Sequence, residues 1–130
     1  MNVFVDTSAL LAFLDADDAG HARALRGRDA IEGSRLVTHG YVVVESLALI
    51  RRRLGPIAAR RFIDELLPAL DVIDPDAELR SAIVESWRTE LATTISFVDH
   101  ASFVIMRRSG LTRAWALDAD FRQAGFELVA

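Results

Sequence analysis

The sequence contains no cysteine, which excludes disulfides, thiolate zinc sites and a cysteine nucleophile, and suits a reducing compartment. It contains no lysine either: all 15 basic residues are arginine. A P-loop lysine, a Schiff-base lysine and a receiver-domain lysine are thereby excluded. No apolar run approaches the ~18 residues needed to cross a bilayer. Met1 leads into the strand-like Asn2-Val3-Phe4-Val5 rather than into a basic segment ahead of an apolar stretch. A soluble, cytoplasmic protein is expected. No repeat, low-complexity tract or linker interrupts the chain, and at 130 residues with 52% hydrophobic content one domain, 1–130, is the expectation.

Net positive charge is also missing. The formal charge is −4, whereas phosphate binding is normally driven by clustered positive charge. Distribution matters more than the sum. The arginines gather at Arg51-Arg52-Arg53, Arg60-Arg61 and Arg107-Arg108, and each guanidinium is a planar fork suited to phosphate. Each group equally suits the solvated end of a helix.

What is present is an alternation of short apolar runs with helical patterns, the mark of an α/β protein with parallel strands. Strands are predicted at Asn2–Val5, Leu36–Thr38, Asp71–Ile73, Arg113–Leu117 and Glu127–Val129. Helices are predicted at Ser8–Leu14, His21–Glu32, Gly40–Leu54, Pro56–Leu67, Asp76–Ala92 and Phe97–Arg108, with a short turn near Asp120–Gln123. Gly55-Pro56 ends one helix and opens the next. Asp74-Pro75-Asp76 places acids at the positive end of a helix. Ser96-Phe97-Val98-Asp99 matches a capping box, and Ser109-Gly110 stops the helix it opens.

Several acids stand where a site could form. Asp6 follows the first strand; in open parallel sheets ligands bind at the carboxyl ends of strands, and aspartate there is equally a good N-cap. Glu45 interrupts the apolar run from Tyr41 to Ile50. Helical spacing sets it beside Tyr41, Ala48 and Leu49, so it should be partly buried, and a buried charge must be paired, protonated or bound to metal. Arg52 is the nearest candidate for an ion pair. Asp99 lies in the first turn of a helix, where the dipole alone accounts for an acid. Asp118 and Asp120 follow the fourth predicted strand, where a turn or cap is an equal reading.

If the first and fourth strands are neighbours, these acids flank a topological switch point. Converging carboxylates resist joint ionisation, and a divalent cation relieves the repulsion. An oxygen-only set suits Mg²⁺ or Mn²⁺, ions that clamp phosphates and activate water in phosphodiester cleavage. His21, His39 and His100 lack zinc-type spacing and read as surface or supporting residues. Thr7 and Ser8 read as caps or as ligands for a metal-bound water or a substrate phosphate. Phe103 and Met106 give the last long helix a second apolar side, meant either for the core or for a partner.

The ordered set Val5-Asp6-Thr7-Ser8-Ala9-Leu10-Leu11, Val44-Glu45, Ser96-Phe97-Val98-Asp99 and Asp118-Ala119-Asp120-Phe121 resembles the PIN-domain family, and in particular its VapC-like toxins, over essentially the whole chain. The resemblance implies a three-layer α/β/α fold with a parallel five-stranded sheet in the order 3-2-1-4-5. It implies a catalytic, metal-binding quartet of Asp6, Glu45, Asp99 and Asp118, with Asp120 as an auxiliary metal ligand. It implies a Mg²⁺- or Mn²⁺-dependent endoribonuclease that cuts tRNA or rRNA, forms a homodimer and is neutralised by a VapB-like antitoxin; the mechanism expected from the acids is in-line attack of water, leaving a 5′-phosphate and a 3′-hydroxyl. One departure is Ala116, where the family commonly has a hydroxyl residue. Two rivals remain at this point: a catalytically silent PIN domain acting as a partner-binding module in an antitoxin–DNA repressor complex, and a phosphatase of another α/β fold. The latter lacks its usual lysine and Asp-x-Asp motif here.

Overall fold

β1 (Asn2–Val5) is the central strand of the computed structural model, which describes residues 1–130. It is flanked by β2 (Arg35–His39) and β4 (Arg113–Trp115), with β3 (Leu70–Ile73) and β5 (Glu127–Leu128) at the edges. Every pairing is parallel and the order is β3-β2-β1-β4-β5, as the resemblance implied. In register, Phe4 lies opposite Val37 on one side and Ala114 on the other.

Side chains alternate across a strand, so a central parallel strand feeds two cores. Val3 and Val5 join Trp115 in one core, covered by α1 (Thr7–Leu14), α2 (His21–Ala30) and α4 (Pro56–Arg61). Phe4 joins Val37 and Ala114 in the other, covered by α6 (Phe97–Arg108) and α7 (Asp120–Gln123). In the first core α2 approaches so closely that a Cβ on Gly27 would stand 2.7 Å from the Trp115 ring. The Trp115 indole N–H donates to the Ala24 carbonyl at 3.1 Å. In the second, the Phe121 ring lies 6.1 Å from Phe4 and 5.0 Å, edge-on, from Phe103.

The second apolar side of α6 is therefore core. Phe103 and Met106 are buried against the sheet and α7, while Ala101 and Ile105 pack on Ile83 of α5 (Ala77–Trp87). A helix covered on two sides needs two apolar stripes, so this face offers nothing to a partner. α3 (Gly40–Leu54) contributes to both cores, Val42 to one and Ile50 to the other.

Most boundaries shift by a residue or two, and three of the differences have a visible cause or form. The helix opened by Pro56 leaves α geometry at Arg61, continues as a π turn over Phe62–Leu66, and finishes as a 3₁₀ turn at Leu67–Ala69, where Pro68 has no N–H with which to extend it. α5 tightens to a 3₁₀ turn at Arg88–Glu90. β4 ends at Trp115, because the Leu117 N–H is taken by the Ser8 hydroxyl at 2.9 Å instead of by a strand. The caps read from the sequence are present: Asp76 accepts from the Leu79 N–H, Ser96 from the Asp99 N–H, and Gly110 has a positive φ.

His39 is the largest correction among the histidines, since it is wholly buried. Its Nδ1 accepts from the N–H groups of Tyr41 and Val42, capping α3. Its Nε2 lies 2.8 Å from the Ser102 hydroxyl, which itself donates to the Val98 carbonyl. The ring is thus neutral with its proton on Nε2, and burial holds its pKa down at about 4. His39→Ala removes a cap and opens a cavity, so urea unfolding should show a loss of about 3 kcal/mol. His39→Asn, which can still cap, should recover part of it; equal losses for both variants would refute the capping role.

Candidate active site

The chain leaves β1 into α1 on one face of the sheet and leaves β4 into α7 on the other. Neighbouring strands whose connections diverge in this way open a crevice at their carboxyl ends. Asp6 and Asp118 stand on its two lips. Asp99 enters from the first turn of α6, and Glu45 from the second turn of α3. All four line one cavity of about 210 Å³, together with Thr7, Ser8 and Ser96.

Asp6 is an N-cap that uses only one of its two carboxylate oxygens. Its Oδ2 accepts from the Ser8 N–H at 3.1 Å and from the Ser8 hydroxyl at 2.6 Å. Its Oδ1 is buried with no hydrogen-bond partner. A cap needs only one oxygen, and a buried acceptor left bare is costly. Ser8 also ties the two lips together, since its hydroxyl accepts from the Leu117 N–H. Nothing in the sequence signals that brace, because its partner is 109 residues away.

Three carboxylates form the tightest group: Asp99, Asp118 and Asp120 each place an oxygen within 4.8 Å of the other two. Asp6 and Glu45 share the cavity with Asp99 and Asp118 but stand outside this triad. Asp118 additionally accepts from the Asp120 N–H at 2.9 Å, so the turn role expected of it coexists with its place in the cluster. Glu45 is half-buried, as its apolar neighbours required, and forms no ion pair with Arg52 or any other residue. Thr7 bonds to Ser46 through their hydroxyls at 3.0 Å.

The electrostatics follow from this crowding. Burial pushes the Asp6 carboxyl up to about 6 against the pull of the Ser8 hydrogen bonds, and the charges of Glu45 and Asp118 push the same way. Asp99 rises to about 8, first through burial, then through the charge of Asp6, a hydrogen bond with Asp118, and the charges of Asp118 and Glu45. In the metal-free protein Asp99 thus keeps a proton near neutrality. Oxygen-only donors, mutual repulsion and a bare buried oxygen fit a hard divalent cation. His21 and His100 point elsewhere: His21 bonds the Ala12 carbonyl, and His100 bonds Ser86.

The parallel sheet and its acidic crevice define the class: residues 3–127 match the PIN domain family, and the chain belongs to it. Within that family the chain is 35% identical, over 95% of both sequences, to the 23S rRNA-specific endonuclease VapC20 of Mycobacterium tuberculosis. The crystal structure of that protein, a Sarcin-Ricin loop cleaving toxin, matches with a TM-score of 0.83 over 95% of each chain. Two more distant complexes share the fold alone. VapBC2 from Rickettsia felis, bound to a DNA fragment from its promoter, matches with a TM-score of 0.69 at 14% identity over 98% of this chain and 97% of that one. FitAcB from Neisseria gonorrhoeae matches with a TM-score of 0.71 at 16% identity over 100% and 97%. No helix is long and apolar enough to cross a membrane.

Proposed function

We propose that this protein is a metal-dependent endoribonuclease, the toxin of a VapBC-type pair, acting on ribosomal RNA in the cytoplasm. The observation that carries the reading is the convergence of Asp6, Glu45, Asp99 and Asp118 on one cavity, with the Asp6 Oδ1 buried and unpartnered. The likeness to a 23S rRNA endonuclease over 95% of the chain supports the substrate class.

Asp6, Glu45, Asp99 and Asp118 would hold Mg²⁺ or Mn²⁺, with Asp120 at the margin beside Asp99 and Asp118. When bound, such an ion supplies charge stabilisation at the phosphoryl group and lowers the pKa of water. The chain's own contribution is to position the acids before substrate arrives. Ser8 fixes the Asp6 carboxylate, Ser96 caps the helix that carries Asp99, and Asp118 is locked by the Asp120 N–H. An adjoining recess shares Ser8, Leu11 and Asp118 with the acidic cavity and is bordered by Arg53. That guanidinium is the arginine best placed to meet an RNA backbone phosphate. Attack of water in line with the leaving 3′ oxygen leaves a 5′-phosphate and a 3′-hydroxyl.

A VapB-like antitoxin and a homodimer complete the proposal. Excess negative charge at the cavity mouth suits a basic side chain of the antitoxin, with apolar contacts elsewhere supplying affinity. The test is direct. The purified chain, freed of antitoxin, should cleave ribosomal RNA in Mg²⁺ or Mn²⁺ and stop in EDTA. A chain that binds antitoxin and promoter DNA but cuts no RNA under any metal would be the silent module instead.

A further inference from the structure

Beside the acidic crevice lies a second cavity of about 330 Å³, between α6, α7 and the turn that follows α5. This is the lower end of the ~300–1,000 Å³ typical of small-molecule sites. It borders the acids at Asp120, which lines it and also belongs to the triad with Asp99 and Asp118. Ile95 and the edge of Phe103 supply apolar walls, and Glu90, His100, Arg107 and Gln123 supply polar ones.

The polar groups are arranged rather than scattered. Arg107 lies over the Phe126 ring at 5.2 Å and donates from Nη2 to the Ala124 carbonyl at 2.9 Å, which fixes the guanidinium while leaving its other N–H groups free. Glu90 is half-buried and its carboxylate has no ion-pair partner. Glu90, His100 and Arg107 all line this one cavity. His100 is held in place by Ser86 at 2.7 Å. The cavity therefore offers a carboxylate that accepts hydrogen bonds and guanidinium N–H groups that donate them, beside the apolar Ile95 and Phe103.

We infer that this cavity receives the nucleobase flanking the scissile phosphate and that its chemistry selects guanine. Guanine donates from N1 and N2 on one edge, matching the Glu90 carboxylate, and accepts at O6 and N7 on another, matching the Arg107 fork. Adenine lacks the N1 proton, and the pyrimidines lack the second edge. The placement beside the acids rests on the ribonuclease reading; the base pocket itself does not.

Two measurements test it separately. In the first, isotope-labelled full-length protein is titrated in Mg²⁺ with the 5′- and 3′-monophosphates of guanosine, adenosine, cytidine and uridine, and backbone amide shifts are followed. A guanosine nucleotide should shift Glu90, Arg107 and Gln123 at roughly tenfold lower concentration than the others, since one bidentate base contact carries about that discrimination. Glu90→Gln should erase the advantage. Equal affinities, shifts confined to other regions, or a preference that Glu90→Gln leaves intact overturn the inference. In the second, a random-sequence RNA pool is cleaved in Mn²⁺ and the new ends are sequenced. Guanine should be enriched roughly tenfold at one position flanking the cut, and cleavage without any such enrichment also overturns it. A pool left uncut counts against the ribonuclease reading, while the nucleotide titration still decides the pocket.

Discussion

Asp99→Asn should lower the rate of RNA cleavage by on the order of a thousandfold, the usual effect of removing one preorganised group that stabilises transition-state charge. The substitution keeps the shape of the side chain, and the cap at this helix end is untouched because Ser96 accepts from the backbone N–H of residue 99. Folding should therefore survive, and the metal-free variant should be no less stable than the wild type. Single-turnover cleavage at saturating Mn²⁺ is the measurement. Arg35→Gln is the control: it breaks an exposed ion pair with Asp71 at the opposite end of the sheet and should leave the rate unchanged. A rate for Asp99→Asn within tenfold of the wild type would remove Asp99 from the reaction.

Asp99 also shows where sequence reasoning stops. An acid in the first turn of a helix has a complete explanation in the helix dipole, so nothing local distinguishes it from a dozen ordinary surface residues. Only the family resemblance singled it out, and the contacts that raise its pKa come from Asp6, Asp118 and Glu45, each on a different element. Glu45 was different, because a charge inside Tyr41–Ile50 is anomalous by itself. Asp6 and Asp118 were legible as strand ends once the sheet order was known. The readings left open in the sequence share a physical cause. His39 and Ser102 meet across 63 residues, and α6 is sandwiched between the sheet and α5, so its second apolar stripe has a destination that no helical period reveals. The base pocket was invisible for the same reason: Glu90, Arg107 and Gln123 come from three elements that no short motif joins.

Without metal, the acidic cluster should act against the fold. The Asp6 pKa is raised from 3.8 to about 6, so the folded protein binds a proton more tightly than the unfolded chain. Its contribution is fully present below pH 4 and is lost as pH rises through about 6. At about 1.4 kcal/mol per pH unit, ionising Asp6 in the metal-free protein costs on the order of 3 kcal/mol. Asp99 acts in the same direction up to about pH 8. His39 acts in the opposite direction, since its lowered pKa destabilises the fold as pH falls from 6.5 towards 4, and the raw pH profile of the wild type mixes the two. Asp6→Asn separates them. Asparagine caps as well as aspartate, keeps the Ser8 bonds, and turns a donor toward the remaining acids. In EDTA the two proteins should melt together near pH 4 and diverge as pH rises, the variant standing higher by roughly 10 °C at pH 8. Mn²⁺ should then reverse the order. A ligand at a hundred times its dissociation constant stabilises the fold by about 2.7 kcal/mol, and that gain belongs to the wild type, whose Asp6 Oδ1 is free to accept a cation. Melting curves that run parallel from pH 4 to 8, with equal shifts in Mn²⁺, would mean that Asp6 is only a cap and that the acids around it never share an ion.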